Sequence, residues 1–310
     1  MSRRPAVIAN PAARGGAVEV AERVAARLGT EVLRTAAAGD GVALARAAVE
    51  GASLVVAVGG DGTAREVAQG MAEGLGTWPG GGPAGDDAPR LLVVPAGTGN
   101  SLHRALWGDL PWEETLDLLD RGHTVRRDLD LAHIEGHDRA VLLGASAGFL
   151  RWAVEATSRF PGLAGRELYA AAGLDAAQRL TPYAGRVEID GELLCDGPTA
   201  LAAVGGARRR GGSLTLLPHS LLDDGLLDVC VLSARHAEEA IGLLMLAMEG
   251  NHLDQPGVRY AQGRRVVLER GDGPLPFEHD GDLWPGDDAA ITLSVVPAAV
   301  PVVSPQRWEE

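Results

Sequence analysis

The segment Gly59–Thr63, with the sequence GGDGT, combines residue types suited to binding phosphate. Apolar residues precede it and a helical pattern follows it, which predicts a strand, a glycine turn and the start of a helix. Glycine lets the backbone approach a ligand closely, and free N–H groups at a helix start attract anions. An aspartate here would repel phosphate unless a divalent cation lay between them, so Asp61 indicates a nucleotide bound with Mg2+. The alternative is a tight turn in which Asp61 only caps the helix.

Two further turns of similar construction follow other predicted strands. The apolar strand Ala6–Ala9 ends at Asn10, and the buried strand Leu91–Val94 leads into Gly97–Asn100, the sequence GTGN. Loops at the carboxyl ends of parallel strands converge on one crevice, so we expect several side chains to share one ligand. These side chains are Asn10, Asp61, Thr63, Thr98 and Asn100.

Two acidic turns in the second half of the chain could also carry chemistry. Asp224 lies in the sequence DDG before a strand, where it and nearby backbone carbonyls suit a hard cation as well as a turn cap. Asp280 lies in the sequence HDG and could act as a general base on an alcohol, or could simply form a hairpin turn with Gly281. Spacing alone leaves both pairs of alternatives open.

The elements that must position these residues differ between the two halves of the chain. Up to about residue 125, apolar strands alternate with helical segments, which predicts a parallel sheet. Beyond that point the strands are shorter and alternate apolar with polar residues, as in an antiparallel sheet. Helices are predicted at 166–179 and 237–248, each covering a sheet face or contacting a membrane. Residues 72–90 lack periodicity, which predicts a flexible surface excursion.

Composition excludes several classes of function. The chain contains no lysine, whereas Walker A loops and pyridoxal-phosphate Schiff bases both require one. Its net charge of −14 argues against nucleic-acid binding and against broad adsorption to anionic membranes. The two cysteines, Cys195 and Cys230, have no zinc-ligand spacing. No segment has the apolar length of a signal peptide or a membrane span, so we expect a cytoplasmic protein.

Taken together, these motifs resemble the diacylglycerol kinase catalytic-domain family of bacterial lipid kinases, which is related to the sphingosine kinases. The resemblance runs in order over nearly the whole chain. It rests on Asn10-Pro11 with Gly15-Gly16, Gly59–Thr63 with Glu66, Gly97-Thr98 with Asn100, Asp130-Leu131, Gly144–Gly148, Asp224-Gly225 and Asp280-Gly281.

The resemblance implies an α/β plus β fold. Residues 1–125 would form an N-terminal Rossmann-like, parallel-sheet nucleotide domain like that of NAD kinase and phosphofructokinase. Residues 126–296 would form a C-terminal antiparallel β-sandwich domain, rich in β-strands, that binds the lipid substrate. The tail 297–310 would pack back on the first domain.

The family resemblance also implies a role for each candidate residue. Asp280 would be the general base that deprotonates the lipid hydroxyl, Asp61 would act on the phosphates through Mg2+, and Asp130 would support the Mg2+ network. Asp224, with the carbonyls of Leu221 and Leu226, would form a second, structural Mg2+ site. The residues that would contact ATP are Asn10, Pro11, Ala12, Ala13, Arg14, Thr35, Gly60, Asp61, Gly62, Thr63, Glu66 and Thr98, with Asn100 added from the shared loop edge.

The implied function is an ATP- and Mg2+-dependent lipid kinase that phosphorylates a hydroxyl of diacylglycerol or a related lipid. Such an enzyme would contact a membrane surface peripherally and transiently, without a nucleic-acid partner, and a homodimer remains an open alternative. Two other functions compete with it: an NAD kinase, which shares GGDGT, and a non-catalytic regulator that binds lipid or nucleotide. The linked GTGN, DDG and HDG motifs argue against the first, and the full set of aspartates argues against the second.

Overall fold

The computed structural model describes residues 3–13, 15–210 and 214–306, and this part of the chain folds as two compact units. Unit 1 comprises the chain up to Leu131 together with the segment from Val296 onward, and unit 2 comprises Ala132–Val295. The chain passes between the units within two strands, β5 at Thr124–Ile134 and β15 at Ala290–Pro305. The sequence-based boundary between residues 125 and 126 falls near the start of β5.

Unit 1 alternates strands with helices, as the sequence pattern predicts. The remaining elements are β1 Arg4–Ala9, α1 Ala17–Leu28, β2 Val32–Arg34, α2 Asp40–Ala48, β3 Ala52–Gly59, α3 Asp61–Leu75, β4 Arg90–Pro95, α4 Ser101–Trp107 and α5 Trp112–Asp120. The strands lie in the order β2-β1-β3-β4, all in parallel, and β15 pairs in parallel with β4 through Val302 and Leu91. The predicted parallel sheet is thereby confirmed.

The central strand β3 explains why this sheet forms. Val55, Val56 and Val58 are fully buried, because helices cover both faces of a parallel sheet and its strands must be apolar throughout. Helix α3 begins at Asp61, within the GGDGT segment itself. An acidic residue in a first helical turn is favoured by the helix dipole, which the apolar periodicity alone does not reveal.

The predicted excursion at residues 72–90 is shorter and better attached than expected. Helix α3 continues to Leu75, so the irregular part begins at Gly76. The Arg126 guanidinium donates to the carbonyls of Ala84 (2.8 Å) and Gly85 (2.8 Å), which ties the segment to β5.

Unit 2 is built on antiparallel strands. Its elements are β6 Ala140–Val141, β7 Gly144–Gly148, α6 Phe149–Ala156, a 3-10 helix Thr157–Arg159, α7 Gly165–Gln178, β8 Tyr183–Ile189, β9 Glu192–Gly205, β10 Leu227–Ser233, α8 Ala237–Met248, β11 Val258–Gly263, β12 Arg265–Arg270, β13 Phe277–His279 and β14 Asp282–Leu283. The main order is β14-β13-β7-β9-β8-β12-β15, and β10 pairs with both β9 and β11. The described pairings here are antiparallel, as predicted.

Alternate residues of the unit 2 strands enter two different apolar clusters. In β9, Ala202 and Val204 pack in one cluster, whereas Leu201 and Ala203 pack in the other with the helices α6, α7 and α8. This alternation follows from the two-residue period of a strand. Both predicted long helices therefore cover a sheet face. No helix among the described residues has the length and apolar character needed to cross a membrane.

Helices α2 and α3 pack closely through a glycine. A Cβ atom added at Gly70 would lie 2.1 Å from the Val42 carbonyl oxygen and 2.9 Å from the Ala45 Cβ. At Gly62, in the first turn of the same helix, such a Cβ would have no described atom within 4 Å apart from the adjacent residues and the local helix backbone. The two positions therefore provide a matched pair of substitutions.

We expect Gly70→Ala to lower the free energy of unfolding by about 1–3 kcal/mol, because the added methyl group forces α2 and α3 apart. Urea unfolding followed by circular dichroism measures this effect. Gly62→Ala is the control and should leave stability unchanged or raise it by about 0.5–1 kcal/mol, since alanine favours a helix. Equal effects of the two substitutions would contradict the packing described above.

Candidate active site

The loops that follow β1, β3 and β4 meet at the carboxyl edge of the unit 1 sheet. The Ala96 N–H donates to the Gly59 carbonyl at 2.8 Å, and the Gly15 N–H donates to the Ala96 carbonyl at 3.1 Å. The Asn10 N–H donates to the Val58 carbonyl at 3.2 Å. These bonds bring the three predicted phosphate-binding loops together, as the convergence of loops in a parallel sheet requires.

The GGDGT and GTGN loops approach each other so closely that Gly97 cannot carry a side chain. A Cβ atom added at Gly97 would lie 2.3 Å from the Gly60 Cα and 2.9 Å from the Gly60 nitrogen. Gly60 is the residue before α3, so the first N–H groups of that helix, which have no partner within the helix, lie at this edge. A helix start of this kind suits a phosphate group.

Asp61 connects the two loops. It is the first residue of α3. Its Oδ1 accepts a hydrogen bond from the Leu102 N–H at 3.0 Å, in the first turn of α4. A Cβ added at Gly99 would lie 2.8 Å from the Asp61 Oδ2, so the carboxylate lies against the GTGN loop. The Asp61 carboxylate therefore caps the start of the neighbouring helix α4.

Asn100 shapes the GTGN loop from within. Its Oδ1 accepts the Gly97 N–H and its Nδ2 donates to the Gly97 carbonyl, each at 2.9 Å. Its φ of 55° lies in the left-handed region, which asparagine tolerates better than most residues. The contacts of the Asn100 amide are thus with its own loop.

Three threonine hydroxyls at this edge make no hydrogen bond to any described residue. Thr35 and Thr63 are buried, and Thr98 is half-buried. The Thr35 N–H donates to the Ala9 carbonyl at 3.0 Å, which places Thr35 beside the end of β1. A hydroxyl both donates and accepts, so these groups can bind phosphate oxygens.

The loop after β1 forms a compact turn. The Asn10 Oδ1 accepts the Ala12 N–H at 2.9 Å, and the Asn10 carbonyl accepts the Ala13 N–H at 3.1 Å. This turn leaves Pro11 and Ala12 exposed to solvent. Arg14, a predicted ATP contact, lies outside the described residues.

Two other predicted site residues of unit 1 bind backbone N–H groups of neighbouring segments. The Glu66 carboxylate accepts the N–H groups of Gly39 at 2.9 Å and Gly41 at 3.1 Å, which lie at the start of α2. The Asp130 Oδ1 accepts the Ala298 N–H at 2.7 Å, where β15 takes a left-handed φ of 49°. Both carboxylates therefore position chain segments in unit 1.

In unit 2, Asp280 occupies a hairpin turn between β13 and β14. Asp280 and Gly281 have φ values of 49° and 87°, both left-handed, as in the tight turns that join paired strands. The carboxylate accepts the N–H groups of Leu142 at 2.7 Å, Leu143 at 2.8 Å and Gly144 at 3.1 Å. Asp280 thus lies in a hairpin turn, and the three N–H groups hold its carboxylate in one orientation.

A buried ion pair that no sequence motif indicates lies beside this turn. The Glu278 Oε1 accepts hydrogen bonds from the Arg210 Nη2 and the Ser146 hydroxyl, each at 2.7 Å, and its Oε2 accepts the Gly281 N–H at 3.1 Å. Burial raises the pKa of the Glu278 carboxyl, with Arg210 and Ser146 acting in the opposite direction and the Asp280 charge adding to the increase. A buried glutamate requires partners of this kind, and no local sequence pattern around Glu278 reveals its burial.

Arg210 belongs to the basic run 208–210, which its charge suggests is a solvated loop. In the structure, however, the Arg210 side chain is 7% exposed and ion-paired, and Arg208 donates to the Ser220 carbonyl at 3.1 Å. Arg209 is the exposed member of the run. The glycines that follow, at 211 and 212, lie outside the described residues.

The predicted metal turn carries acceptors suited to a hard cation. The Asp224 Oδ1 accepts the Leu226 N–H at 3.0 Å. Burial raises the pKa of Asp224, and the charges of Asp228 and Asp223 act in the same direction. No described residue donates a hydrogen bond to the carbonyls of Leu221 or Leu226. One carboxylate and two carbonyls fit the oxygen ligands that Mg2+ prefers. Within the described part of the chain, no cluster of three or more Asp, Glu, His or Cys side chains could hold a metal ion.

Comparison with known proteins supplies the family. Residues 4–132 match the family model described as diacylglycerol kinase catalytic domain, and residues 144–304 match the YegS C-terminal NAD kinase beta sandwich-like domain. A protein of Bacillus subtilis (strain 168) named diacylglycerol kinase is 30% identical over 263 residues, which cover 83% of this chain and 82% of that protein. The chain belongs to the diacylglycerol kinase family. A diacylglycerol kinase of Staphylococcus carnosus (strain TM300) is 26% identical over 254 residues, covering 82% of this chain and 78% of that protein.

Solved structures share the fold of this diacylglycerol kinase family member. A diacylglycerol kinase structure from Bacillus anthracis has a TM-score of 0.67 at 17% identity, with 97% of each chain covered. An NAD kinase from Archaeoglobus fulgidus in complex with ATP has a TM-score of 0.52 at 14% identity, covering 97% of this chain and 92% of that one. The predicted NAD kinase-like fold is thereby confirmed. Membership of the diacylglycerol kinase family supports a kinase activity.

The diacylglycerol kinase motifs are brought together in different ways within each unit. In unit 1, the loops containing Asn10, Gly60–Thr63 and Thr98 share one sheet edge, with Thr35 beside them. In unit 2, Asp280 contacts the segment 142–144, whereas Asp224 contacts its own turn. The unit 1 edge can bind an anion, and the unit 2 turn can present a carboxylate.

We expect Glu66→Gln to lower the free energy of unfolding by about 0.5–2 kcal/mol, because an amide is a weaker acceptor for the α2 N–H groups than a carboxylate. Urea unfolding at neutral pH measures the change. Glu22→Gln is a suitable control, because Glu22 is exposed and pairs only at the surface with Arg34. An effect of Glu66→Gln no larger than that of the control would show that Glu66 does not cap α2.

Proposed function

We propose that this chain is a lipid kinase that transfers the γ-phosphate of ATP, with Mg2+, to a hydroxyl group of diacylglycerol or a related lipid. The observation that carries the proposal is the convergence of three glycine-containing loops at the carboxyl edge of the unit 1 sheet, in a member of the diacylglycerol kinase family. Contact with a membrane surface would be peripheral, at the time the lipid is bound.

The unit 1 edge supplies the groups that a triphosphate needs. The first N–H groups of α3 and the hydroxyls of Thr35, Thr63 and Thr98 would donate to phosphate oxygens. The Asp61 carboxylate would hold Mg2+, which spreads the negative charge of the phosphates when it is bound. Positioning and charge neutralisation of this kind account for most of the catalysis in phosphoryl transfer.

Asp280 supplies the remaining function, that of a general base. The lipid hydroxyl oxygen forms a bond to the γ-phosphorus, the bond from that phosphorus to the ADP oxygen breaks, and the hydroxyl proton passes to the Asp280 carboxylate. The three N–H groups of 142–144 fix the carboxylate for this transfer. Pre-orientation of a base reduces the entropy lost in reaching the transition state.

Transfer of labelled γ-phosphate from ATP in mixed micelles tests the proposed function. The acceptors are diacylglycerol, monoacylglycerol, sphingosine, ceramide, phosphatidylglycerol and undecaprenol, and NAD is included because an NAD kinase shares this fold. We expect label in one or more of the lipids and none in NADP. Labelled NADP without labelled lipid would favour an NAD kinase, and tight ATP binding without any labelled product would favour a regulator.

We expect Asp280→Asn to lower kcat by at least about 100-fold while ATP affinity changes less than about twofold, because asparagine keeps the shape but cannot take the proton. The same transfer assay and calorimetry with ATP measure the two quantities. Asp190→Asn is the control: Asp190 has a φ of 53° in an Asp-Gly turn, and its carboxylate also accepts N–H groups, those of Arg264 and Arg265. Equal losses in both variants would assign Asp280 a structural role.

We expect MgCl2 to raise the melting temperature relative to NaCl of equal ionic strength, because a cation bound at the 224 turn stabilises the folded state. Asp224→Asn should remove most of that increase, and Asp223→Asn, one residue away, should retain it. Differential scanning calorimetry provides the measurement. An increase that persists in Asp224→Asn would place the bound cation elsewhere.

A further inference from the structure

The Glu278 carboxylate joins three separate segments of unit 2. It binds the Gly281 N–H of the turn that carries Asp280, the Ser146 hydroxyl of β7 and the guanidinium of Arg210. Arg210 is itself fixed, since its N–H and carbonyl both pair with Leu214, at 2.8 and 3.0 Å. The ion pair is almost fully buried, with side-chain exposures of 7% for Arg210 and 1% for Glu278.

A second hairpin of the same unit shows that the turn itself does not require this pair. Asp190 and Gly191 have φ values of 53° and 87°, close to the values of Asp280 and Gly281. Glu188 lies two residues before Asp190, as Glu278 lies two residues before Asp280. The Glu188 side chain is 28% exposed and pairs with Arg186 of its own strand, at 2.9 Å from the Nε atom.

The buried pair therefore calls for a reason other than hairpin formation. Removing two charges from water costs free energy that their attraction often does not recover, so a buried ion pair is weak evidence for stability. The two turns differ in what they hold: one carries the proposed base, and the other has no proposed chemical role. The pair occurs at the turn whose carboxylate must stay in place during a reaction.

We infer that Glu278 and Arg210 are positioning residues, which hold the turn so that the Asp280 carboxylate remains on the N–H groups of Leu142, Leu143 and Gly144. This inference rests on the proposed function of Asp280 as the base. When Asp280 takes the proton of the lipid hydroxyl, it becomes a weaker acceptor, and its own bonds to the segment 142–144 weaken. The bond from the Gly281 N–H to Glu278 is independent of that proton and keeps the turn in position until the proton passes to solvent.

Amide hydrogen exchange tests this inference without requiring catalysis. In Glu278→Gln, which keeps the side-chain shape but loses the charge, we expect the Leu142, Leu143 and Gly144 amides to exchange at least about tenfold faster, with the other strands of unit 2 unchanged. In the lipid kinase assay, kcat should fall at least about tenfold and the KM for ATP should stay within about twofold. Glu188→Gln is the matched control and should change none of these quantities.

Glu278→Gln leaves the buried Arg210 charge without its partner and could therefore fold poorly. A second variant keeps the inference testable in that case. Arg210→Gln with Glu278→Gln removes both charges together, and we expect it to fold but to retain the fast exchange at 142–144 and the low kcat. Wild-type exchange and wild-type kcat in this double variant would overturn the inference. Uniformly faster exchange throughout unit 2 would overturn it as well, because it indicates a general structural role.

Different results would contradict the lipid kinase activity and the positioning role. A wild-type chain that phosphorylates no lipid contradicts the proposed function, whatever the amides show. A wild-type chain that is active, together with protected 142–144 amides in Glu278→Gln, contradicts only the positioning role.

Discussion

The interaction on which both units depend is a hydrogen bond from backbone N–H groups to a carboxylate that is distant in sequence. Such bonds satisfy N–H groups at helix starts and strand ends that have no partner within their own element. A charged acceptor makes them stronger than bonds between neutral groups. Asp61 accepts from Leu102, Glu66 accepts from Gly39 and Gly41, and Asp130 accepts from Ala298. Asp190 accepts from Arg264 and Arg265, and Asp280 accepts from residues 142–144.

This interaction gives the acidic motif residues a structural role in addition to any chemical one. Replacing Asp280 with alanine would leave three backbone N–H groups without their acceptor. Each group that stays buried would lower the free energy of unfolding by about 1–3 kcal/mol. A loss of activity in such a variant would not separate the two roles. Asparagine retains an acceptor oxygen, so it removes the proton-accepting function with less damage to the segment 142–144.

Much of the architecture follows from local sequence pattern. Five apolar residues at 54–58 predict a buried parallel strand, and the glycine turns after the strands predict loops that meet at one edge. Both expectations agree with the structure, because the burial of a strand and the backbone freedom of glycine depend on only a few neighbouring residues. The strand β7 was missed, because its sequence GASAG lacks the β-branched and aromatic residues typical of strands. Its small side chains instead let β9 and β13 pack closely on either side.

The site was predictable in its motif residues but not in their partners. The GGDGT and HDG sequences mark residues whose chemistry is visible one at a time. The contacts of Glu278 with Ser146 and Arg210 join segments separated by 132 and 68 residues, and no local pattern encodes such distances. For the same reason, a run of arginines suggests a solvated loop until the fold supplies a buried carboxylate for one of them.

Lipid phosphorylation is tested most directly with ATP whose γ-phosphate oxygens carry a heavy isotope, together with Mg2+ and vesicles that contain diacylglycerol. Mass spectrometry then identifies the lipid product and locates the label within it. We expect a phosphorylated lipid whose phosphate carries the labelled oxygens while the oxygen joining it to glycerol is unlabelled, because the lipid hydroxyl attacks the γ-phosphorus. Label found only in inorganic phosphate, with no phosphorylated lipid, would contradict this expectation.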